Sequence, residues 1–210
     1  MLHIARRNTW IFDLDNTLHD AGYYIYPQIN RLMTRYIMRQ LQLDRGLAND
    51  IRIGYWKKYG ATIIGLIKHH NIDPHHFLKI THDFEIAKNN IKASPYLRHI
   101  LQRLNGRKFI FSNAPRAYIH DVLRHLKIEN FFSDIFSIES TGFKPKPNIC
   151  GYHILLEKSK AIASNCIMVE DTLPNLLAAK KLGFKTIWVN SRVYKPKWVD
   201  IKITDIRHLV

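Results

Sequence analysis

Carboxylates are scarce in this chain of 210 residues: 17 Asp and Glu stand against 32 Lys and Arg, a formal charge of +15. A field of that sign attracts anions such as nucleotides or nucleic acid. The basic residues are scattered, however, from Arg31, Arg35, Arg39, Arg45, Arg52, Lys57 and Lys58 to Lys180, Lys181, Lys185, Lys195 and Lys197, so charge alone defines no site. Cysteine is nearly missing. Cys150 and Cys166 lack the close spacing and neighbouring histidines of a zinc finger and read as two buried, reduced thiols. No apolar run reaches the roughly 20 residues of a membrane span. The amino end, MLHIARRNTWIFDLD, meets an acidic cluster too early for a secretory signal, so a cytoplasmic protein is expected. Repeats and low-complexity segments are absent too. What remains is 46% hydrophobic residues in a length suited to one core domain and one smaller insertion.

Short apolar stretches bounded by polar turns recur at Trp10 to Phe12, Phe109 to Phe111, Ile135 to Ile138, Ile167 to Val169 and Thr186 to Val189, each the size of a buried strand. Helical patterns separate most of them. After Phe111, Ile119, Val122, Leu123 and Leu126 share one helical face, with Pro115 suited to the first turn. Ser94 and Pro95 open a helix lined by Leu97, Ile100, Leu101 and Leu104 and ended by Asn105-Gly106. Leu173 to Leu182 reads as another, closed by Gly183. Strands alternating with helices predict an α/β fold, a parallel sheet with helices on both faces. The stretch between the first two strands is far longer than one crossover needs. Ile29, Leu32, Met33, Tyr36, Ile37 and Leu41 keep a 3.6-residue period within it. Residues 19–92 are therefore predicted to form an inserted helical cap, and 1–18 with 93–210 the α/β core.

In open parallel sheets, ligands sit beyond the carboxyl ends of the strands. The residues there are Asp13, Asp15 and Thr17, then Ser112 and Asn113, then Lys144 and Lys146, then Glu170 and Asp171. Singly, an Asp-x-Asp is usually a solvated turn, a Ser-Asn a helix cap, and a Lys-Pro-Lys-Pro an exposed loop. Their joint arrival at successive strand ends is what makes a site. Carboxylates converging at one edge repel unless a cation compensates them, and hard oxygen ligands suit Mg²⁺. Asp13 can then be a nucleophile. Asp15, two residues on, points to the same side of an extended chain and can protonate a leaving oxygen before activating water. Ser112 and nearby amides can hold phosphate oxygens, and a lysine from the third loop supplies positive charge. These are the parts of phosphoryl transfer.

FDLDNTL, FSNA, FKPKP and VEDTLPN match, in order, the four motifs of the haloacid dehalogenase superfamily, which the chain resembles over nearly its whole length. The second aspartate, Asp15, marks the phosphatases and phosphomutases and is missing from the dehalogenases. The resemblance implies a Rossmann-like core with a C1-type helical cap. It also implies Asp13 as nucleophile, Asp15 as acid/base, Ser112 on phosphate, and Mg²⁺ held by Asp13, the Asp15 carbonyl and Asp171. Glu170 stands where glycine or aspartate is commoner and joins the candidate metal ligands, while Asn175 replaces a frequent later aspartate. Thr17, Asn113 and Lys144 join Ser112 as candidate substrate contacts. Lys146 is favoured over Lys144 as the catalytic lysine, because the family usually has an aromatic residue six positions on. Tyr152 fills that place for Lys146, whereas Cys150 fills it for Lys144.

The stretches YWKKYGATIIGLIKHH and INRLMTRYI, with the short tail of the fourth motif, look like bacterial pyrimidine 5′-nucleotidases. That resemblance implies a nucleoside monophosphate such as UMP or CMP as the small phosphate ester. Phosphoglycolate, sugar phosphates or a phosphomutase reaction are the alternatives on the same fold. Nucleic-acid binding without catalysis is a rival of another class, and the acidic cluster argues against it. His69, His70, His75, His76 and His82 are expected on a solvated helical face. Tyr23, Tyr24, Tyr26, Tyr55, Trp56 and Tyr59 could stack on a base or form the cap's own core.

Overall fold

Strands are short apolar runs here: β1 (Thr9–Phe12), β2 (Arg107–Phe111), β3 (Asp134–Phe136), β4 (Cys166–Glu170), β5 (Lys185–Val189) and β6 (Ile201–Ile203). Every residue of β1 is buried, as befits a strand covered on both faces. It pairs in parallel with β2 on one side and β4 on the other. The computed structural model describes residues 8–210, and among them the strands form one six-stranded sheet in the order β3-β2-β1-β4-β5-β6, every pair parallel. This is a Rossmann-like α/β fold.

Between β1 and β2 the chain runs through α1 (Ile25–Leu41), α2 (Arg45–Tyr59), α3 (Thr62–His70), α4 (Pro74–Thr81) and α5 (Phe84–Ala87), and then α6 (Leu97–Arg103). Several of the scarce carboxylates start these helices: Asp44, Asp73 and Asp83 accept backbone N–H bonds at the first turns of α2, α4 and α5. Helices α2 and α3 approach closely because residue 65 is glycine; a Cβ there would lie 2.1 Å from Tyr55 Cγ. Tyr36, Ile37, Ala48, Ile63, Leu66, Phe77 and Leu78 give these helices an apolar cluster of their own. The chain enters and leaves this segment side by side, Asp20 N donating to Lys92 O at 2.7 Å.

The remaining helices are α7 (Arg116–His125), α8 (Ile149–Ser159) and α9 (Leu173–Lys181). Trp10 and Phe12 pack on one face of the sheet with α6 and α7. Ile11 packs on the other with Tyr152 and Leu155 of α8 and Leu176 and Ala179 of α9. Three expectations need correction. The third strand stops at Phe136, because Ile138 turns away to join Tyr36 and Leu66. A sixth strand adds beside β5, where the Asp200 carboxylate accepts from the Thr186 amide at 2.8 Å and hydroxyl at 2.9 Å. Only Cys166 is buried; Cys150 is half-exposed at the start of α8, and both thiols are free. No helix among the described residues is long and apolar enough to cross a membrane.

Candidate active site

Pairing continues one residue past β1, since Asp13 N donates to Val169 O at 3.0 Å. That bond delivers the Asp13 carboxylate, 6% exposed, to the carboxyl edge of the sheet. Lys146, 3% exposed, meets it there. Its Nζ donates to Asp13 Oδ1 at 2.8 Å, to Glu170 Oε2 at 2.7 Å and to the Phe111 carbonyl at 2.6 Å. All three ammonium protons are thereby used. Lys144 lies outside this group, exposed, its Nζ 4.0 Å from Cys150 Sγ.

Asn113 fixes the Lys146 backbone from both sides. Its Nδ2 donates to Lys146 O at 3.1 Å and its Oδ1 accepts from Lys146 N at 2.7 Å, so its amide aligns the lysine. Ser112 Oγ accepts from Ala114 N at 3.1 Å, which keeps the hydroxyl proton available to a ligand. Thr17 Oγ1 donates to Asp13 Oδ2 at 3.4 Å, a long bond on the face away from the lysine.

Three carboxylates surround one ammonium. Burial, reinforced by Glu170 and opposed by Lys146, pushes Asp13 up to about 7. Burial likewise pushes Glu170 up to about 7, with Lys146 opposing and Asp171 adding to it. Asp171 is raised mainly by burial. For Lys146 burial acts downward, but the attraction of Asp13 and Glu170 outweighs it and the net shift is upward. Ligand oxygens of Asp13, Glu170 and Asp171 lie within 4.8 Å of one another, and this hard-oxygen set with excess negative charge fits a divalent cation. Glu170 already accepts on both oxygens, from Lys146 and from Thr172 N at 3.1 Å. Asp13 Oδ2 carries only the long 3.4 Å bond from Thr17, and Asp171 accepts on Oδ1 alone, from Thr172 Oγ1 at 3.2 Å, so these two are the freer ligands; Trp188 Nε1 anchors the Asp171 carbonyl at 2.8 Å.

Asp15 stands apart from that trio and has partners that sequence reasoning missed. Tyr118 OH donates to its Oδ1 at 3.2 Å, and His19 Nε2 lies 2.9 Å from the same oxygen. The His19 ring is angled off that line, so neither of its nitrogens makes a well-directed bond; Tyr118 is the true donor and His19 a close polar neighbour. Burial first, then Asp15, drives the Tyr118 phenol well upward, which keeps it protonated. His82 sets its ring edge against Tyr118 at 6.0 Å, and burial holds it down at about 4, hence neutral near pH 7. Both contacts fall on Oδ1, and among the described residues no hydrogen bond engages Oδ2 of Asp15. The only sequence signal was a histidine four residues beyond Asp15 in a turn otherwise closed by Leu18 and Ala21. Tyr118 gave none, being an ordinary buried position of α7.

Of the other histidines, His69, His75 and His76 are exposed as expected, while His70 is half-buried, and three of the four rings meet a tyrosine hydroxyl. Tyr36 OH meets His76 Nδ1 at 2.8 Å, Tyr55 OH meets His70 Nε2 at 2.8 Å, and Tyr59 OH meets His69 Nε2 at 2.6 Å. Tyr26, at the start of α1, is 38% exposed as a residue, but its phenol lies in the field of the carboxylates at the catalytic edge. Burial and then Asp15, Asp13, Asp171 and Glu170 hold its hydroxyl well above the ordinary value.

A parallel α/β sheet with an aspartate, a buried lysine and cation-ready carboxylates gathered at its carboxyl edge defines the class, a phosphoric monoester hydrolase. The chain belongs to the haloacid dehalogenase-like hydrolases, whose family pattern matches residues 10–189. It is 24% identical over 221 residues to the phosphoglycolate phosphatase of Pseudomonas fluorescens (strain Pf0-1), a match spanning 95% of this chain and 77% of that protein. In structure it is similar to a HAD phosphatase from Thermococcus onnurineus, with a TM-score of 0.70 at 17% identity over 96% of this chain and 95% of that one. The magnesium-bound putative HAD-hydrolase YfnB from Bacillus subtilis has a TM-score of 0.63 at 18% identity, covering 97% of each chain.

Proposed function

We propose that this protein is a Mg²⁺-dependent cytoplasmic phosphatase that forms an aspartyl-phosphate on Asp13 and hydrolyses pyrimidine nucleoside monophosphates. The observation that carries the chemistry is the buried Lys146 ammonium bonded to both Asp13 and Glu170 at the end of the central strands. Asp13, Asp171 and the Asp15 carbonyl, with Glu170 behind them, would hold Mg²⁺, which when bound offsets the repulsion between carboxylate and phosphate dianion. Asp13 attacks phosphorus. Lys146 keeps that carboxylate aimed, and the Ser112 hydroxyl donates to a phosphoryl oxygen. Asp15 protonates the departing ester oxygen and then, as its carboxylate, takes a proton from the water that cleaves the acyl phosphate. Helices α1 to α5 act as the cap that selects the substrate.

The pyrimidine reading is supported by the likeness of YWKKYGATIIGLIKHH and INRLMTRYI to bacterial pyrimidine 5′-nucleotidases. Phosphoglycolate is the second reading, favoured by the name of the Pseudomonas relative. Phosphate release measured over a panel with Mg²⁺ should rank UMP and CMP above AMP, phosphoglycolate and sugar phosphates. A panel led by phosphoglycolate removes the nucleotide reading and keeps the phosphatase. Transfer to a second sugar hydroxyl in place of release into water indicates a phosphomutase.

The carboxylate set also fixes a pH dependence. Folded Asp13 and Glu170 keep their protons up to about 7, against ordinary values of 3.8 and 4.5. Between those limits the metal-free folded state binds more protons than the unfolded one, so its stability falls as pH rises through that window. Lys146 is protonated in both states there and does not contribute. Mg²⁺ should therefore raise Tm more at pH 7.5 than at pH 5, where protons compete for the same oxygens. An Mg²⁺-induced shift that is equal at both pH values, by scanning calorimetry, would contradict this assignment of the cation site.

A further inference from the structure

Helices α1 and α2 enclose a groove of ≈ 420 Å³ lined by Asn30, Arg31, Thr34, Arg35, Met38, Arg45, Asn49 and Arg52. Arg52 is held in place by three neutral acceptors. Its Nε donates to Thr34 Oγ1 at 3.1 Å, its Nη1 to Asn30 Oδ1 at 2.8 Å and its Nη2 to Asn49 Oδ1 at 2.8 Å. Those bonds occupy the side-chain oxygens of both asparagines, so their amides offer the groove N–H donors. Among the described residues the arginine ion pairs are made by Arg116, Arg124 and Arg207, and none by Arg31, Arg35, Arg45 or Arg52. Four guanidiniums around one cleft repel each other, and neutral acceptors orient Arg52 without cancelling that repulsion. Burial already weakens its hold on the proton.

We infer that this groove binds a small polyanion carrying a chain of phosphates, at a site separate from the catalytic carboxylates. A guanidinium grips phosphate oxygens through two parallel N–H donors. A single phosphate can engage one or two such forks, whereas a phosphate chain offers oxygens to more of them. None of the catalytic residues lines the groove, so binding there needs neither Mg²⁺ nor turnover. Asn30, Thr34 and Met38 nevertheless continue, at every fourth residue, the helical face that begins with Tyr26, whose hydroxyl lies in the field of the catalytic carboxylates. A ligand in the groove thus shares α1 with the active site.

The test is a calorimetric titration of the full chain with inorganic tripolyphosphate, and in parallel with orthophosphate. It is run in metal-free buffer at about 0.1 M salt, where charges beyond ~10 Å are screened. One saturable site is expected, tighter for tripolyphosphate. Arg35→Ala combined with Arg45→Ala should weaken it by about tenfold or more. Lys181→Ala with Lys185→Ala removes the same charge elsewhere and should change it by less than about twofold. Asp13→Asn should leave it intact, and thermal melting checks that each variant folds. No saturable binding overturns the inference. So does equal loss in the lysine pair, which would mean net charge alone, or loss in Asp13→Asn, which would mean the catalytic site. A short single-stranded oligonucleotide that competes with tripolyphosphate and binds more tightly would replace the small ligand with nucleic acid.

Discussion

Asp13→Asn is expected to lower turnover by about 10⁴-fold or more while leaving the folded protein as stable as before or more so. An amide cannot form the acyl phosphate, so the covalent route closes. The effect on the fold should run the other way. Asp13 is one of three carboxylates held close together, and burial with Glu170 already pushes it up to about 7. Replacing it by a neutral isostere removes that repulsion, and the amide oxygen still accepts from Lys146. Steady-state kinetics on UMP, with Tm measured without Mg²⁺ at pH 7.5, separates the two effects. Residual activity near the parent level would mean that another group attacks phosphorus.

Lys146→Met should damage both properties. Among the described residues its ammonium is the one cation bonded to the buried Asp13 and Glu170. Removing one member of a buried ion pair leaves uncompensated charge and costs about 3–5 kcal/mol. Loss of positive charge near the reacting phosphate should cost a further factor of about 10²–10³ in kcat. The stability loss should shrink on acidification, because Asp13 and Glu170 then protonate. Adding Glu170→Gln should recover part of the stability and none of the rate. If Lys146→Met melts like the parent at neutral pH, the ion-pair account of the site is wrong; if Lys144→Met proves the more damaging for kcat, the lysine is misassigned.

Much of the sheet was legible because each buried strand is a short apolar run with turn residues at its ends. β6 was not, since Ile201, Lys202 and Ile203 are too few to show a period and depend on Asp200 reaching back to Thr186. The end of β3 was misplaced for a related reason: Ile138 is apolar, but its partners are helical residues distant in sequence. At the site, the aromatic residue six positions past the lysine separated Lys146 from Lys144. Tyr152 is fully buried, its ring 4.9 Å from that of Phe111 and its hydroxyl donating to Asn175 O at 2.8 Å. Asn113 illustrates the limit. As a residue type it suits a phosphate, and only coordinates reveal two bonds to a backbone 33 positions away. Tyr118 was hidden likewise, because a contact 103 positions long carries no local pattern, whereas His19, four positions from Asp15, left a local signal that a lone histidine does not make readable.

The placement of β1 between β2 and β4 reaches beyond catalysis. Trp10 and Phe12 are sunk into one layer and Ile11 into the other. A shift by one residue would exchange their faces and dismantle both layers at once. The Asp13 carboxylate is thus mounted at the end of a strand held from both faces, while the helices that follow are tied at their base where Asp20 pairs with Lys92. Substitutions among those helices, which keep an apolar cluster of their own, therefore need not disturb the seat of that carboxylate.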